Sequence, residues 1–236
     1  MTLDRAIRSL RTRGFASSAR LAVESTFDHL FASSRASAHL RVPLEMLRHP
    51  KHARHWMADR IKQNNALERR VPWISWPCID YLNERVRADD RVLEWGGGGS
   101  TLFFLQKGCT VVTVESNDYW RERLDSLVSD RERERWELRF VPADSNDATR
   151  ADEYMSTVDE GAPWNLVLVD GWNRLKCARR AMSTLRPGGL LIFDNADEPQ
   201  YREVATMLAG WQRLEFSGLG PGRSWATKTD VYRCPG

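Results

Sequence analysis

The chain has 236 residues, 42% of them hydrophobic, with 35 Lys and Arg against 32 Asp and Glu. That length suits one α/β domain with an appended segment better than two independent cores, and a formal charge of +3 is too small to argue for a nucleic-acid surface by itself. No apolar run approaches the ~20 residues that span a bilayer, and Cys78, Cys109, Cys177 and Cys234, scattered without a C-x-x-C pair, suit reduced packing thiols, so a cytoplasmic protein is expected.

Arg5, Arg8, Arg11, Arg13 and Arg20 crowd the first twenty residues, where Asp4 is the one acid. Leu3, Ile7 and Leu10, then Leu21, Phe27, Leu30 and Phe31, fall at helical spacing on either side of Gly14, which predicts two short amphipathic helices. Residues 1–70 are expected to form an N-terminal helical extension, with a lid, a homodimer contact and contact with a membrane surface as its candidate roles. His49, His52 and His55 recur every third residue, a pattern that fits an exposed helix better than a metal site without oriented partners. No histidine follows residue 55, so the rest of the chain must find a general base elsewhere.

Beyond Val71 short apolar runs alternate with helical stretches. A helix is expected through Ile79 and Leu82, and strands at 91–95, 110–115, 137–141, 165–170, 190–194, 213–216 and 226–233. Helical segments between the first five strands predict parallel pairing through right-handed crossovers, with helices on both faces of the sheet. The last two strands are separated only by Gly218-Leu219-Gly220-Pro221-Gly222 and its flanks, which predicts an antiparallel hairpin at the sheet edge. Residues 71–236 are therefore read as one doubly wound, Rossmann-like domain with a seven-stranded sheet.

The sharpest local feature is Arg91-Val92-Leu93-Glu94-Trp95 running into Gly96-Gly97-Gly98-Gly99 and then Ser100-Thr101. Glycines after a first strand let the backbone turn sharply and approach a ligand, and they serve dinucleotides as well as S-adenosylmethionine. Glu94 favours the second, because a carboxylate beside a pyrophosphate is misplaced whereas one beside an ammonium and a sulfonium is not. At the end of the second strand Glu115 can accept from ribose hydroxyls, and after the third Asp144 can accept from an adenine amino group. Glu94, Gly96, Gly98, Ser100, Glu115 and Asp144 are the candidate cofactor residues.

This order of motifs, with Leu168-Val169-Asp170-Gly171 and Arg186-Pro187-Gly188-Gly189 following, resembles class I S-adenosylmethionine-dependent methyltransferases across residues 71–233, and the closing stretch Gly218-Leu219-Gly220-Pro221, then Trp225-Ala226-Thr227, resembles uncharacterised bacterial members of that family. Asp170, Asp194 and Asn195 end neighbouring strands, and three such oxygen donors suit a hard cation such as Mg²⁺. Their placement is similar to that in catechol-type, metal-dependent O-methyltransferases, and Trp172 adds to the likeness. Where that family has a lysine base, this chain has Asn173, which leaves Lys176, Arg174 or a histidine from the N-terminal segment as substitutes, and Asp170 itself as a direct base. Acids at these positions also cap strand-to-helix turns in metal-free relatives.

The resemblance implies O-methylation of a small-molecule or glycan hydroxyl, with Asp170 and Lys176 as candidate catalytic residues and Trp73, Trp76 and Trp172 as candidate walls. The asparagine-proline-aromatic motif of adenine and glutamine N-methylation is absent, which weighs against nucleic acid as partner. An NAD-binding oxidoreductase is the rival reading from another class, opposed by Glu94 and by the lack of a Tyr-x-x-x-Lys pair. A catalytically silent S-adenosylmethionine-binding protein is the other.

Overall fold

The computed structural model describes residues 35–62, 65–143, 148–156, 158 and 160–236. The two amphipathic helices expected before Ser33 lie outside the described residues, as does Asp144.

Three helices come first: α1 (Arg35–Leu40), α2 (Val42–Arg48) and α3 (Pro50–Lys62). Helix α4 (Trp76–Arg85) then leads into alternating elements β1 (Arg91–Trp95), α5 (Gly99–Gln106), β2 (Thr110–Glu115), α6 (Asp118–Leu127), α7 (Asp130–Arg133), β3 (Trp136–Phe140), α8 (Ala148–Ser156), β4 (Trp164–Val169), α9 (Arg174–Ala181) and β5 (Leu185–Asp194). A 3-10 turn (Pro199–Tyr201), α10 (Glu203–Met207), β6 (Gln212–Leu219) and β7 (Ala226–Arg233) close the chain. No helix of the described residues is long and apolar enough to cross a membrane.

The seven strands form one sheet in the order β3-β2-β1-β4-β5-β7-β6. The first five are parallel, and β7 runs antiparallel between β5 and β6. This is the doubly wound sheet with a closing hairpin that the sequence predicts. The central strands are near-continuous apolar runs because helices cover both faces. Side chains alternate between the layers: Val92, Leu166 and Ile192 pack with Ile79, Leu82, Leu102 and Phe104 on one side, while Leu93, Val167, Val169 and Phe193 meet Tyr154, Cys177, Ala178 and Val204 on the other. All four cysteines are free thiols, three of them buried in these layers.

Local capping fixes where helices begin. The Asn117 side chain accepts from the Tyr119 amide at 2.9 Å at the head of α6, satisfying one of the amides a helix start leaves open. The N-terminal helices rest on the closing hairpin. Val42, Met46 and Trp56 pack against the first layer, and the fully buried Glu45 accepts from Ser217 of β6 at 2.9 Å and from Arg48 at 2.6 Å.

Candidate active site

A cleft of about 540 Å³ opens at the carboxyl ends of β1, β2 and β4. Strand order reverses between β1 and β4, and open α/β sheets bind ligands at such a switch point. Gly96, Gly98, Ser100, Glu115 and Asp170, five of the residues singled out in the sequence, line the cleft.

The glycine turn is held from below and from the side. Gly96 has φ +91°, and a Cβ there would stand 2.7 Å from the Gly171 backbone, so the β1 and β4 ends approach at a distance only glycine allows. Glu115 accepts from the Gly97 amide at 2.7 Å through Oε2 and from the Ser116 and Asn117 amides at 2.7 and 2.8 Å through Oε1. Burial pushes its carboxyl up, against the pull of those three donors. Oε2 keeps a lone pair for a further donor on the cleft side.

Glu94 does not face the cleft, contrary to the expectation that it meets the cofactor directly. It has no exposed surface and lies beneath the turn, where Oε1 accepts from Thr113 at 2.8 Å and from Thr101 of α5. Oε2 has no hydrogen-bond partner among the described residues. Burial pushes its carboxyl up to about 7, opposed by the hydroxyls of Thr101, Ser100 and Thr113. Thr101 also accepts from the Gly98 amide at 3.1 Å, so Glu94 positions the turn through Thr101.

Asp170, Asp194 and Asn195 do not assemble as a cation site. Oδ1 of Asp170 and Oδ1 of Asn195 each accept from Arg174 at 2.7 Å. Asp194 is fully buried, accepting from Arg223 at 3.1 Å and from Thr229 at 2.7 Å. Asn195, at φ 59°, forms the strand-to-helix turn and donates to Glu198 at 2.9 Å. Two guanidiniums take the places a divalent ion would need, and a cation among them meets like charge instead of free oxygen. Among the described residues no group of three or more His, Cys, Asp or Glu could hold a metal. The donor set therefore does not fit Mg²⁺.

Asp170 remains as the acid that lines the cleft at the end of β4. Its side chain is about one-fifth exposed, with 20% of its surface accessible, and Oδ2 has no protein partner among the described residues. Burial is the largest influence on it; Arg174 and Arg223 oppose it while Asp194 and Glu115 reinforce it, and the carboxyl is pushed up to about 7.

Lys176, the other catalytic candidate, is not brought to the site. Cys177, Ala178 and Ala181 take the buried face of α9, which turns Lys176 out to solvent. The histidines are also elsewhere. His52 pairs with Asp80 at 2.8 Å and the His55 ring meets Trp76 edge-on at 5.4 Å, and no described histidine lines the cleft. Trp73 and Trp172 are walls as expected, whereas Trp76 is core, 5% exposed. Sequence reasoning passed over Trp120 and Arg123 of α6, Ala66 and Leu67 before α4, and Arg223 in the hairpin turn, all of which line the cleft. Arg223 stacks on Trp73, its guanidinium carbon 5.1 Å from the ring centroid. Nothing local marks these residues, because they arrive from three distant parts of the chain.

No family model matches the chain. It is 29% identical over 137 residues to the ribosomal protein L11 methyltransferase of Cupriavidus metallidurans, a stretch covering 57% of this chain and only 40% of that relative's length. Among solved structures it is similar to the O-methyltransferase TomG from Streptomyces achromogenes, which is involved in tomaymycin synthesis and was solved with S-adenosylmethionine (22% identity, TM-score 0.56, covering 73% of this chain and 91% of that one). An O-methyltransferase from Bacillus cereus in complex with S-adenosylhomocysteine is similar at 18% identity and TM-score 0.54, covering 68% and 82%. The chain thus has the fold of class I S-adenosylmethionine-dependent methyltransferases.

Proposed function

We propose that this chain, carrying the class I methyltransferase fold, is an S-adenosylmethionine-dependent methyltransferase that methylates a hydroxyl of a small molecule or sugar without a metal ion. The observation that carries the reading is the juxtaposition, in one cleft, of the glycine turn, the ribose-type acceptor Glu115 and the unpaired Oδ2 of Asp170. Gly98 leaves a cradle: a Cβ there would meet no atom within 4 Å, so the backbone faces open space. Gly96, Gly98, Ser100 and Glu115 would hold the cofactor, which supplies when bound a methyl group on a sulfonium, an activated leaving group.

The chain then has three tasks. The tryptophan walls Trp73 and Trp172 bury the acceptor and orient its oxygen, because alignment supplies much of the rate in a displacement with so good a leaving group. Arg174 fixes the Asp170 carboxylate through Oδ1, and Oδ2 accepts the hydroxyl proton as the oxygen becomes nucleophilic. A carboxyl poised near the working pH is suited to that transfer. The size of the cleft limits the acceptor to a small molecule once the cofactor is in place. The N-terminal helices, packed on the hairpin that carries Arg223, would brace the acceptor side.

Calorimetric titration with S-adenosylhomocysteine, with NAD as control, followed by a methyl-transfer screen over hydroxylated small molecules, tests the reading. The expected result is binding of S-adenosylhomocysteine but not NAD. Asp170→Asn should keep that affinity while losing about 100-fold or more in kcat. Since Asp170 must be ionised to take the proton, kcat should rise with pH through about 7, and EDTA should leave it unchanged. Preference for NAD sinks the cofactor assignment; full activity in Asp170→Asn, or loss with EDTA, sinks the mechanism.

A further inference from the structure

A second cleft, of about 350 Å³, lies at the other end of the sheet, where β1, β4 and β5 begin and β7 ends. Four arginines line it: Arg85 at the end of α4, Arg87 before β1, Arg186 at the start of β5 and Arg233 at the end of β7. One acid is present, Asp90, and its carboxylate is engaged by the Arg87 amide and the Asn165 side chain, each at 2.7 Å.

None of the four arginines makes an ion pair among the described residues, although Arg139, Arg174, Arg213 and Arg223 elsewhere in the fold each have a carboxylate partner. Arg85 rests over the Tyr81 ring at 5.4 Å, and an Arg233 Nη lies 3.7 Å from where a Cβ on Gly188 would be, so both side chains fold along the cleft. The C-terminal end of α4 favours a cation and so accounts for Arg85 alone; it does not explain guanidiniums arriving from β5 and β7. Gathering four like charges around a concave surface costs Coulomb energy that a bound anion relieves.

We infer that this cleft is a binding site for the phosphate group of a small phosphorylated molecule, separate from the methyl-transfer cleft. A phosphate dianion offers enough oxygens to engage more than one guanidinium, and planar guanidinium forks match it two bonds at a time. Tyr81, Leu190 and Leu214 supply an apolar wall for the rest of the ligand. The concave shape favours a small ligand over a polyanionic surface. Glu84 in the last turn of α4 and Asp89 in the α4–β1 connection, both exposed and close in sequence to Arg85 and Arg87, would repel a broad sheet of phosphates.

The probe is inorganic pyrophosphate, titrated calorimetrically into the full chain saturated with S-adenosylhomocysteine, so that the cofactor cleft is closed to it. The expected result is one site, weakened about tenfold or more in the double variant R186Q/R233Q, in which two charge-assisted contacts are lost. R186E, reversing one charge, should weaken it as well. Thermal melting and S-adenosylhomocysteine affinity should be unchanged in both variants, since neither arginine lines the cofactor cleft. Equal pyrophosphate affinity in the variants, or no binding by the native chain, overturns the assignment. So does binding confined to phosphatidylglycerol vesicles or to single-stranded RNA. The outcome is independent of methyl transfer: failure to bind S-adenosylhomocysteine counts against the proposed function, and the pyrophosphate titration is then read on the free protein.

Discussion

The three acids that read alike in the sequence, each ending a strand, have three different environments. Glu115 is loaded with backbone amides, Asp170 has one oxygen tied to Arg174 and one free, and Glu94 is sealed under the glycine turn with Oε2 unpartnered. For Glu94 the consequence is measurable. Its folded value, about 7, lies above the ordinary 4.5, so the folded chain holds a proton that the unfolded chain releases. The associated stability is present below about 4.5 and is lost as pH rises through about 7. Glu94→Gln cannot ionise and keeps an oxygen for Thr101 and Thr113, at the cost of a buried amide. At pH 8 it should therefore be more stable than the native chain by about 2 kcal/mol, and at pH 4.5 no more stable. Denaturant unfolding at the two pH values decides; an identical difference at both means that Glu94 is ionised in the fold.

Between β1 and α5 the four glycines are not equivalent. A Cβ on Gly98 would point into the cleft with nothing within 4 Å, whereas one on Gly99 would stand 2.1 Å from the Val71 carbonyl oxygen and 2.6 Å from that of Ala66. Gly98→Ala should leave the melting temperature nearly unchanged and weaken S-adenosylhomocysteine about tenfold or more, by occupying ligand space. Gly99→Ala should destabilise by about 2 kcal/mol or more, because two backbone segments must part. If both variants lose only stability, the turn is structural and not a cofactor cradle. The elements around this turn were legible because apolar runs, glycine punctuation and strand ends are local signals: β1, β2 and β7 have the expected limits. Strand β5 begins at Leu185, five residues before the expected start, because Leu185 already pairs with Trp164 of β4, while Arg186-Pro187-Gly188-Gly189, which reads as a turn, bulges out before the pairing resumes at Leu190 with Leu166. Strand β6 extends to Leu219 through Gly218, which reads as a breaker, but sits where a Cβ would meet Pro77 at 2.7 Å.

At the scale of the molecule, the hairpin, the N-terminal helices and the cleft are joined at Arg223, and no signal near it in sequence announces that role. Trp56 of α3 donates to the Arg223 carbonyl at 2.6 Å. The guanidinium donates to the Trp73 carbonyl, to Thr227 at 3.2 Å and to Asp194 at 3.1 Å, and is 6% exposed. Asp194, one of the acids expected to ligate a metal, is thus spent on an ion pair whose arginine comes from a turn 29 positions further along the chain. A buried pair of this kind contributes less than its Coulomb attraction, because both groups lose water, but breaking it on one side leaves an uncompensated charge. Arg223→Met should therefore cost about 3–5 kcal/mol of stability, with Asp194 stranded. Asp194→Asn in the same chain removes that charge, so the double variant should recover a large part of the loss rather than add to it. Denaturant midpoints of the two single variants and the double variant complete the cycle. Additive losses would mean that Arg223 acts through its stacking on Trp73 and its bond to the Trp73 carbonyl, and that the hairpin is held by packing alone.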